Sequence, residues 1–307
     1  MKPLQASSGD LNADRRADFA EMLFASGEAA QAAELLLGAL ELAPHWAAGW
    51  FRLGEIQEAA SLPDQAAQAW AMALKLDPAD RLGAVLKLQL IGHAPAAAAP
   101  PSAFVETLFD HYADSFEVSL VQKLGYGLPD VLWQAIGEAR PGHFRLALDL
   151  GCGTGLMGER LRPLVDRLEG YDISAGMLKK ARAKGIYDLL VKVDIKHFSH
   201  DGAKADLVVA ADVFIYVGAL ERLVAAVAAS LADNGVFAFS VETLVGEDSD
   251  FALQPSRRYA HAESYVRRVL ATNGFSILSF EHTVIRLDRG VPVDGLAVVA
   301  ARTGPAL

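Results

Sequence analysis

The spacing of apolar residues along this chain changes character near residue 100. Before that point, small and apolar positions return after 34 residues: Ala32 and Ala66, Ala39 and Ala73, and Pro44 and Pro78 are each 34 apart. Each copy predicts a pair of helices, with small residues where the two approach and a proline ending the second. A third copy opens near Asp80 with Ala84 and Leu88 but stops by Ile91, which predicts one capping helix. Residues 93–103, opening HAPAAAAPPS, have no apolar period and predict a linker between a helical region, 1–92, and a second domain, 104–307.

From residue 104 onward short apolar runs alternate with amphipathic stretches. Helices are predicted over 104–124, 127–139, 156–164, 175–184, 218–231 and 261–273. Strands are predicted near 144–150, 167–171, 188–193, 206–211, 235–241, 275–287 and 293–302, the last two joined across Asp288-Arg289-Gly290. Such alternation predicts an α/β domain with a mostly parallel sheet covered by helices on both faces.

The junction after the first strand carries the most chemistry. Residues 146–159 read LALDLGCGTGLMGE, so an acid, Asp149, precedes glycines at 151, 153 and 155 and a new helix begins at Leu156. A strand, a glycine turn and a helix start bring backbone N–H groups close to a ligand. The second strand ends in Asp172, where a carboxylate can accept from both hydroxyls of a ribose. A dinucleotide fingerprint needs glycine at the sixth position from Gly151, and that position is Leu156.

Composition narrows the setting. The 307 residues are 52% hydrophobic, enough for a packed core in one or two domains, with no apolar run approaching a membrane span. The first sixteen residues lack the apolar centre of a signal peptide. Cys152 is the single cysteine, so no internal disulfide forms and a reducing cytoplasm is the expected home. Inside the glycine turn its side chain reads as steric filler rather than a nucleophile. The net charge of −10 is split evenly about residue 100, which opposes phosphate backbones and makes nucleic acid a poor expected partner.

The set Asp149, Gly151, Gly153, Gly155 and Asp172 resembles the cofactor loop of the class I S-adenosylmethionine-dependent methyltransferases, over about 200 residues of the C-terminal part. Trp50, Leu53, Gly54, Ala66, Trp70 and Pro78 resemble the tetratricopeptide pattern. A degenerate earlier copy has Phe19, Ala20, Ala32, Leu36, Ala39 and Pro44 in the equivalent places. Together the two resemblances imply a Rossmann-like, seven-stranded methyltransferase domain preceded by an all-α tetratricopeptide domain. In the methyltransferases the last strand inserts antiparallel.

By the same resemblance, Asp149, Gly151, Cys152, Gly153 and Gly155 would hold the methionine half of the cofactor, the acid helping to hold its ammonium group. Asp172 would bind the ribose. Ile173 and Met177 would pack on the adenine, although Met177 reads equally well as helix-to-sheet core. Asp194 would accept from the adenine amino group with Ile195 offering its N–H, or Asp194 simply caps a turn. The end of the fourth strand, Ala211 to Tyr216, falls where the family brings methyl donor and acceptor together, without the Asn- or Asp-Pro-Pro-aromatic signature of enzymes acting on base amines. Leu108 to Phe116 (LFDHYADSF) resembles a lead-in whose tyrosine, here Tyr112, can bond the cofactor carboxylate while the helix covers the cleft. Phe109, Tyr112 and Phe116 also suit an amphipathic helix packed on the core.

The acceptor side is less legible. Residues 242–261 read as a long polar insertion in which Arg257, Arg258 and Tyr259 are candidates for binding a substrate carboxylate or phosphate. The arginines could instead pair with Asp248 and Asp250. His261 is a candidate general base, or the start of the next helix. Tyr216 is the second candidate at the reacting centre. No histidine pattern points to a metal.

The expected activity is in-line displacement at the sulfonium methyl of S-adenosylmethionine, giving S-adenosylhomocysteine, with positioning supplying much of the rate. The acceptor, a small molecule or a protein, is left open, and the helical repeats are expected to recruit a protein partner or shape the site. The alternative is a non-catalytic adaptor whose methyltransferase-like domain senses cofactor.

Overall fold

The computed structural model describes residues 7–114, 116–117, 126–246, 249–288 and 290–303. It divides into two compact units, one through Thr107 and one from Leu108.

The first unit is all-α. Helices α1 (Leu11–Ala25), α2 (Ala29–Leu40), α3 (Ala47–Ala59), α4 (Pro63–Leu76) and the short α5 (Ala84–Leu90) follow one another through brief turns. Asp10 starts α1 by accepting from the N–H groups of Asn12 and Ala13, and Pro63 sits in the first turn of α4, where no helical donor is lost. Ala13, Ala17 and Ala20 line one face of α1, and Ala32, Leu36 and Ala39 line one face of α2, all buried in one cluster. Small side chains at these spacings let helix axes approach closely. In the second pair the indole of Trp70 lies directly against Gly54 and donates to the Phe51 carbonyl at 3.2 Å.

The helix α6 (Ser102–Tyr112) carries the chain into the second unit, where α7 (Leu128–Ala139) precedes the sheet. Strands β1 (Phe144–Leu150), β2 (Val165–Asp172), β3 (Leu189–Lys192), β4 (Ala205–Ala210) and β5 (Leu231–Thr243) pair in the parallel order β3-β2-β1-β4-β5. Between them run α8 (Leu156–Leu161), α9 (Ala175–Lys184) and α10 (Glu221–Ser230). The chain closes with β6 (Phe251–Leu253), β7 (Tyr259–His261), α11 (Glu263–Thr272), β8 (Phe275–Asp288) and β9 (Val291–Arg302). Strand β9 lies antiparallel between β5 and β8, as the resemblance implied, with Asp288 opposite Val291 at the end of the hairpin.

The two-residue period of the strands sorts their side chains to opposite faces. Leu148, Leu150, Val208, Ala210, Phe237 and Phe239 pack with α10 and α11 on one side. Ala147, Leu168, Leu207, Val209, Val236 and Ala238 pack with α7 and α8 on the other. The predicted polar insertion proves to hold secondary structure of its own. Strand β7 pairs parallel with the end of β5, Glu242 opposite Ala260 and Thr243 opposite His261, and β6 pairs antiparallel with β7. Three-residue strands carry too few positions for a period to show in sequence. The predicted helix over 104–124 ends at Tyr112, and residues 118–125 lie outside the described ones. Among the described residues no helix is long and apolar enough to cross a membrane.

Candidate functional site

The glycine turn is fixed to its neighbouring strand. The N–H groups of Gly151 and Cys152 both donate to the Tyr171 carbonyl, at 2.7 and 3.0 Å. Gly151 has φ +65°, and a Cβ there would lie 2.4 Å from Val213, so both backbone and space demand glycine. Val213 follows the end of β4, so this contact sets the fourth-strand loop against the glycine turn. Cys152 is buried, and burial raises its thiol far above the ordinary range, which leaves it protonated and inert, as filler should be.

Asp172 joins the turn to the second strand. Its Oδ2 accepts from the Gly153 N–H at 2.9 Å and its Oδ1 from the Ser174 N–H at 2.7 Å. Asp149 lies beneath, 1% exposed, and accepts the Tyr187 hydroxyl at 2.6 Å. Burial pushes the Asp149 carboxyl up to about 7, the Tyr187 bond opposing and the Asp172 charge adding. Burial likewise pushes Asp172 up to about 6 against its backbone hydrogen bonds. Among the described residues neither acid has a cationic partner. Two buried carboxylates without a counter-ion, beside the glycine turn, suit a cationic ligand.

The remaining cofactor candidates spread around this centre. Ile173 is half-buried and follows Asp172, whereas Met177 is fully buried under α9, which favours its reading as core. Asp194 accepts from the Lys196 N–H at 2.9 Å, the turn cap weighed above, and Ile195 packs partly buried against the main core cluster. Ala211 is half-buried after β4. Tyr112 is 47% exposed at the end of α6.

Asp110, two residues earlier, has a role that sequence reasoning missed. Its Oδ1 accepts from the Ser174 hydroxyl at 2.5 Å and from the Gly176 N–H at 3.0 Å, clasping α6 to the loop after Asp172. From the same lead-in, the Phe109 ring meets Tyr216 edge-on at 5.3 Å, and Phe116 lies over Gly153.

Beyond Tyr216 sits a buried ionic cluster that no local motif announces. The Arg286 Nη1 donates to both Asp212 oxygens, at 2.7 and 2.8 Å, and its Nη2 donates to Glu242. Asp212 adopts φ +56°, a conformation few non-glycine residues take, and its N–H donates to the Ser240 hydroxyl at 2.9 Å. Burial raises Asp212 and Glu242, with Arg286 opposing in both. Arg258 opposes the upward push of burial on the Tyr216 phenol and approaches Asp288 at 3.5 Å. Arg257 has φ +62° in the β6–β7 turn, and Tyr259 is buried, packed on Phe251. Of the arginine partners weighed from sequence, Asp250 pairs with Arg268, and Asp248 lies outside the described residues.

His261 does not stand as the expected base. It is fully buried, with Nε2 donating to the carbonyls of Val217 and Gly218 at 2.9 and 3.0 Å. Burial lowers it to about 4, so it is neutral at working pH, and its proton is held in place. The reason is the unforeseen β7, which draws His261 into the sheet.

Residues 148–239 match the protein family described as "Methyltransferase domain". The magnesium-protoporphyrin O-methyltransferase of Synechocystis is 30% identical over 160 residues, 48% of this chain and 69% of that protein. The chain belongs to the S-adenosylmethionine-dependent methyltransferases. The methyltransferase is also 38% identical over 85 residues to methyltransferase-like protein 27 of Homo sapiens, 27% of this chain. It spans 34% of the length of that relative. A solved S-adenosylmethionine-dependent methyltransferase from Clostridium acetobutylicum is 19% identical, with a TM-score of 0.49, over 64% of this chain and 100% of the other. S-adenosylmethionine carries an ammonium and a sulfonium, and among the described residues neither Asp149 nor Asp172 is paired with a cation of the chain.

Proposed function

We propose that this chain transfers the methyl group of S-adenosylmethionine to an acceptor seated beyond the end of β4, beside Tyr216. The observation that carries this reading is the pair of buried, cation-free acids, Asp149 and Asp172, on either side of the glycine turn. In this reading Asp172 receives the ribose hydroxyls while keeping the Gly153 and Ser174 N–H groups, and Asp149 faces the ammonium group. Ile173, Asp194 and Ile195 flank the adenine, and Ala211 adjoins the methyl.

The bound cofactor supplies a methyl already activated by its sulfonium charge. The residues around it then have three tasks: to hold the donor, to orient the acceptor in line and to exclude water. Phe109 and Phe116 serve the last. Tyr216 orients the acceptor, and the Asp212–Arg286–Glu242 cluster fixes the loop that carries Tyr216. With His261 sequestered, acceptors that need no strong base suit this site best. The net charge of −10 supports an acceptor other than nucleic acid.

The helical unit reads as two tetratricopeptide-like repeats with a capping helix. Its support is the burial of both members of the pairs Ala32/Ala66 and Ala39/Ala73, one helical pair apart. It recruits a protein partner. The lone cysteine supports a cytoplasmic setting.

Calorimetric titration of the purified full chain with S-adenosylmethionine and S-adenosylhomocysteine tests the reading. Micromolar binding of both is expected. No binding by a protein shown to be folded would overturn it.

A further inference from the structure

Tyr187 lies in the turn between α9 and β3, 38 residues from the acid it touches. Three glycines, two at α8 and one in β2, stand around it. A Cβ on Gly155, at the start of α8, would stand 3.1 Å from its ring. One on Gly158, within α8, would stand 2.2 Å from its hydroxyl. One on Gly170, in β2, would stand 2.9 Å from the other ring edge. The phenol thus passes through a slot with no side chains on these walls and delivers its O–H to Asp149 Oδ2 at 2.6 Å. Among the described residues this is the one side-chain hydrogen bond Asp149 receives.

Gly155 has φ +95°, which calls for glycine by itself, whereas the backbone at Gly158 and Gly170 would accept a side chain and the room there is taken by the phenol. Its effect is to place one donor on one oxygen of a buried carboxylate. A carboxylate so held has a fixed rotamer and one oxygen remaining for another donor. We propose that Tyr187 is a positioning residue for the cofactor, orienting the Asp149 carboxylate to receive the ammonium group of the methionine tail. The proposal rests on the S-adenosylmethionine reading of the site. Tyr187 itself touches no reacting atom.

The probe that separates this role from general packing is 5′-methylthioadenosine, which keeps adenine and ribose but lacks the amino-acid tail. Calorimetry on the full chain compares S-adenosylhomocysteine and 5′-methylthioadenosine across wild type, Tyr187→Phe, Asp149→Asn and the double variant. Tyr187→Phe should weaken S-adenosylhomocysteine by about tenfold, the scale of one hydrogen bond to a charged group, and leave 5′-methylthioadenosine unchanged. In the Asp149→Asn background it should have no further effect. Gly158→Ala, whose methyl displaces the hydroxyl, should show the same selective loss by an independent route. Equal loss of both ligands, or loss of neither, in variants that keep the wild-type melting temperature would overturn the proposal. Wild-type protein that binds neither ligand would overturn the cofactor reading itself, a distinct result.

Discussion

Arg286 and Asp212 stand 74 residues apart, and the guanidinium of one grips both carboxylate oxygens of the other at 2.7 and 2.8 Å. The same guanidinium reaches Glu242, so the antiparallel hairpin, the end of β4 and the end of β5 meet at one buried cation. Removing it leaves two acids facing each other out of water. Arg286→Leu should therefore cost about 3–5 kcal/mol of stability, the scale for breaking a buried pair from one side. Denaturant midpoints measure this, and Glu242→Gln added to Arg286→Leu should recover part of the loss. A variant as stable as wild type would show that the cluster is not a structural keystone.

Asp172 offers the sharpest test of the cofactor site. Asp172→Ala removes the acceptor for Gly153 and Ser174 as well as the proposed partner of the ribose hydroxyls. Affinity for both S-adenosylhomocysteine and 5′-methylthioadenosine should fall by about tenfold or more, since both ligands carry the ribose. Calorimetry reads it, and normal binding would remove Asp172 from the site.

Where the chain speaks locally, the sequence was a sufficient guide. The run from Phe144 to Leu156 predicts strand, turn and helix because its period, its glycines and its acid act on neighbours. The helix 175–184 is likewise found at the predicted bounds, started by Ser174 and ended at Gly185. The contacts that complete the site are another matter. Tyr187 on Asp149, Asp110 on Ser174 and Arg286 on Asp212 join residues 38, 64 and 74 apart, and nothing local marks any of these side chains. Asp110 lies inside the lead-in from Leu108 to Phe116, where the aromatic spacing carries the local signal and the acid between carries none. Strands β6 and β7 escaped for lack of length, and with them the true place of His261.

His261 should matter for stability rather than chemistry. Its pKa is lowered from 6.5 to about 4, so the folded state favours the neutral ring. That contribution is fully present above about 6.5 and is lost as pH falls toward 4. His261→Gln should unfold more readily at neutral pH, by about 1–2 kcal/mol for the disturbed hydrogen bonds to Val217 and Gly218. It should also show a shallower loss of stability on acidification. Cofactor affinity should be unchanged, and a variant that binds normally yet is wholly inactive would restore His261 to the chemistry.

The pH dependence of cofactor binding follows from the two acids. In the free protein Asp149 is raised to about 7 and Asp172 to about 6, so both are largely ionised only above neutrality. A cationic ligand favours the ionised carboxylates and so lowers both values in the complex. Binding is then strongest above about pH 7 and weakens as pH falls through about 7 and then about 6. Each acid adds up to about one decade in Kd per pH unit below its free-state value. At pH 6 the titration should release protons, visible as a heat that changes with the ionisation enthalpy of the buffer. 5′-Methylthioadenosine has no ammonium to offer Asp149, so its affinity should begin to fall only below about pH 6, where Asp172 protonates. Asp149→Asn should give S-adenosylhomocysteine that same profile. If both ligands fell in parallel from pH 7, Asp149 would not be the ammonium's partner.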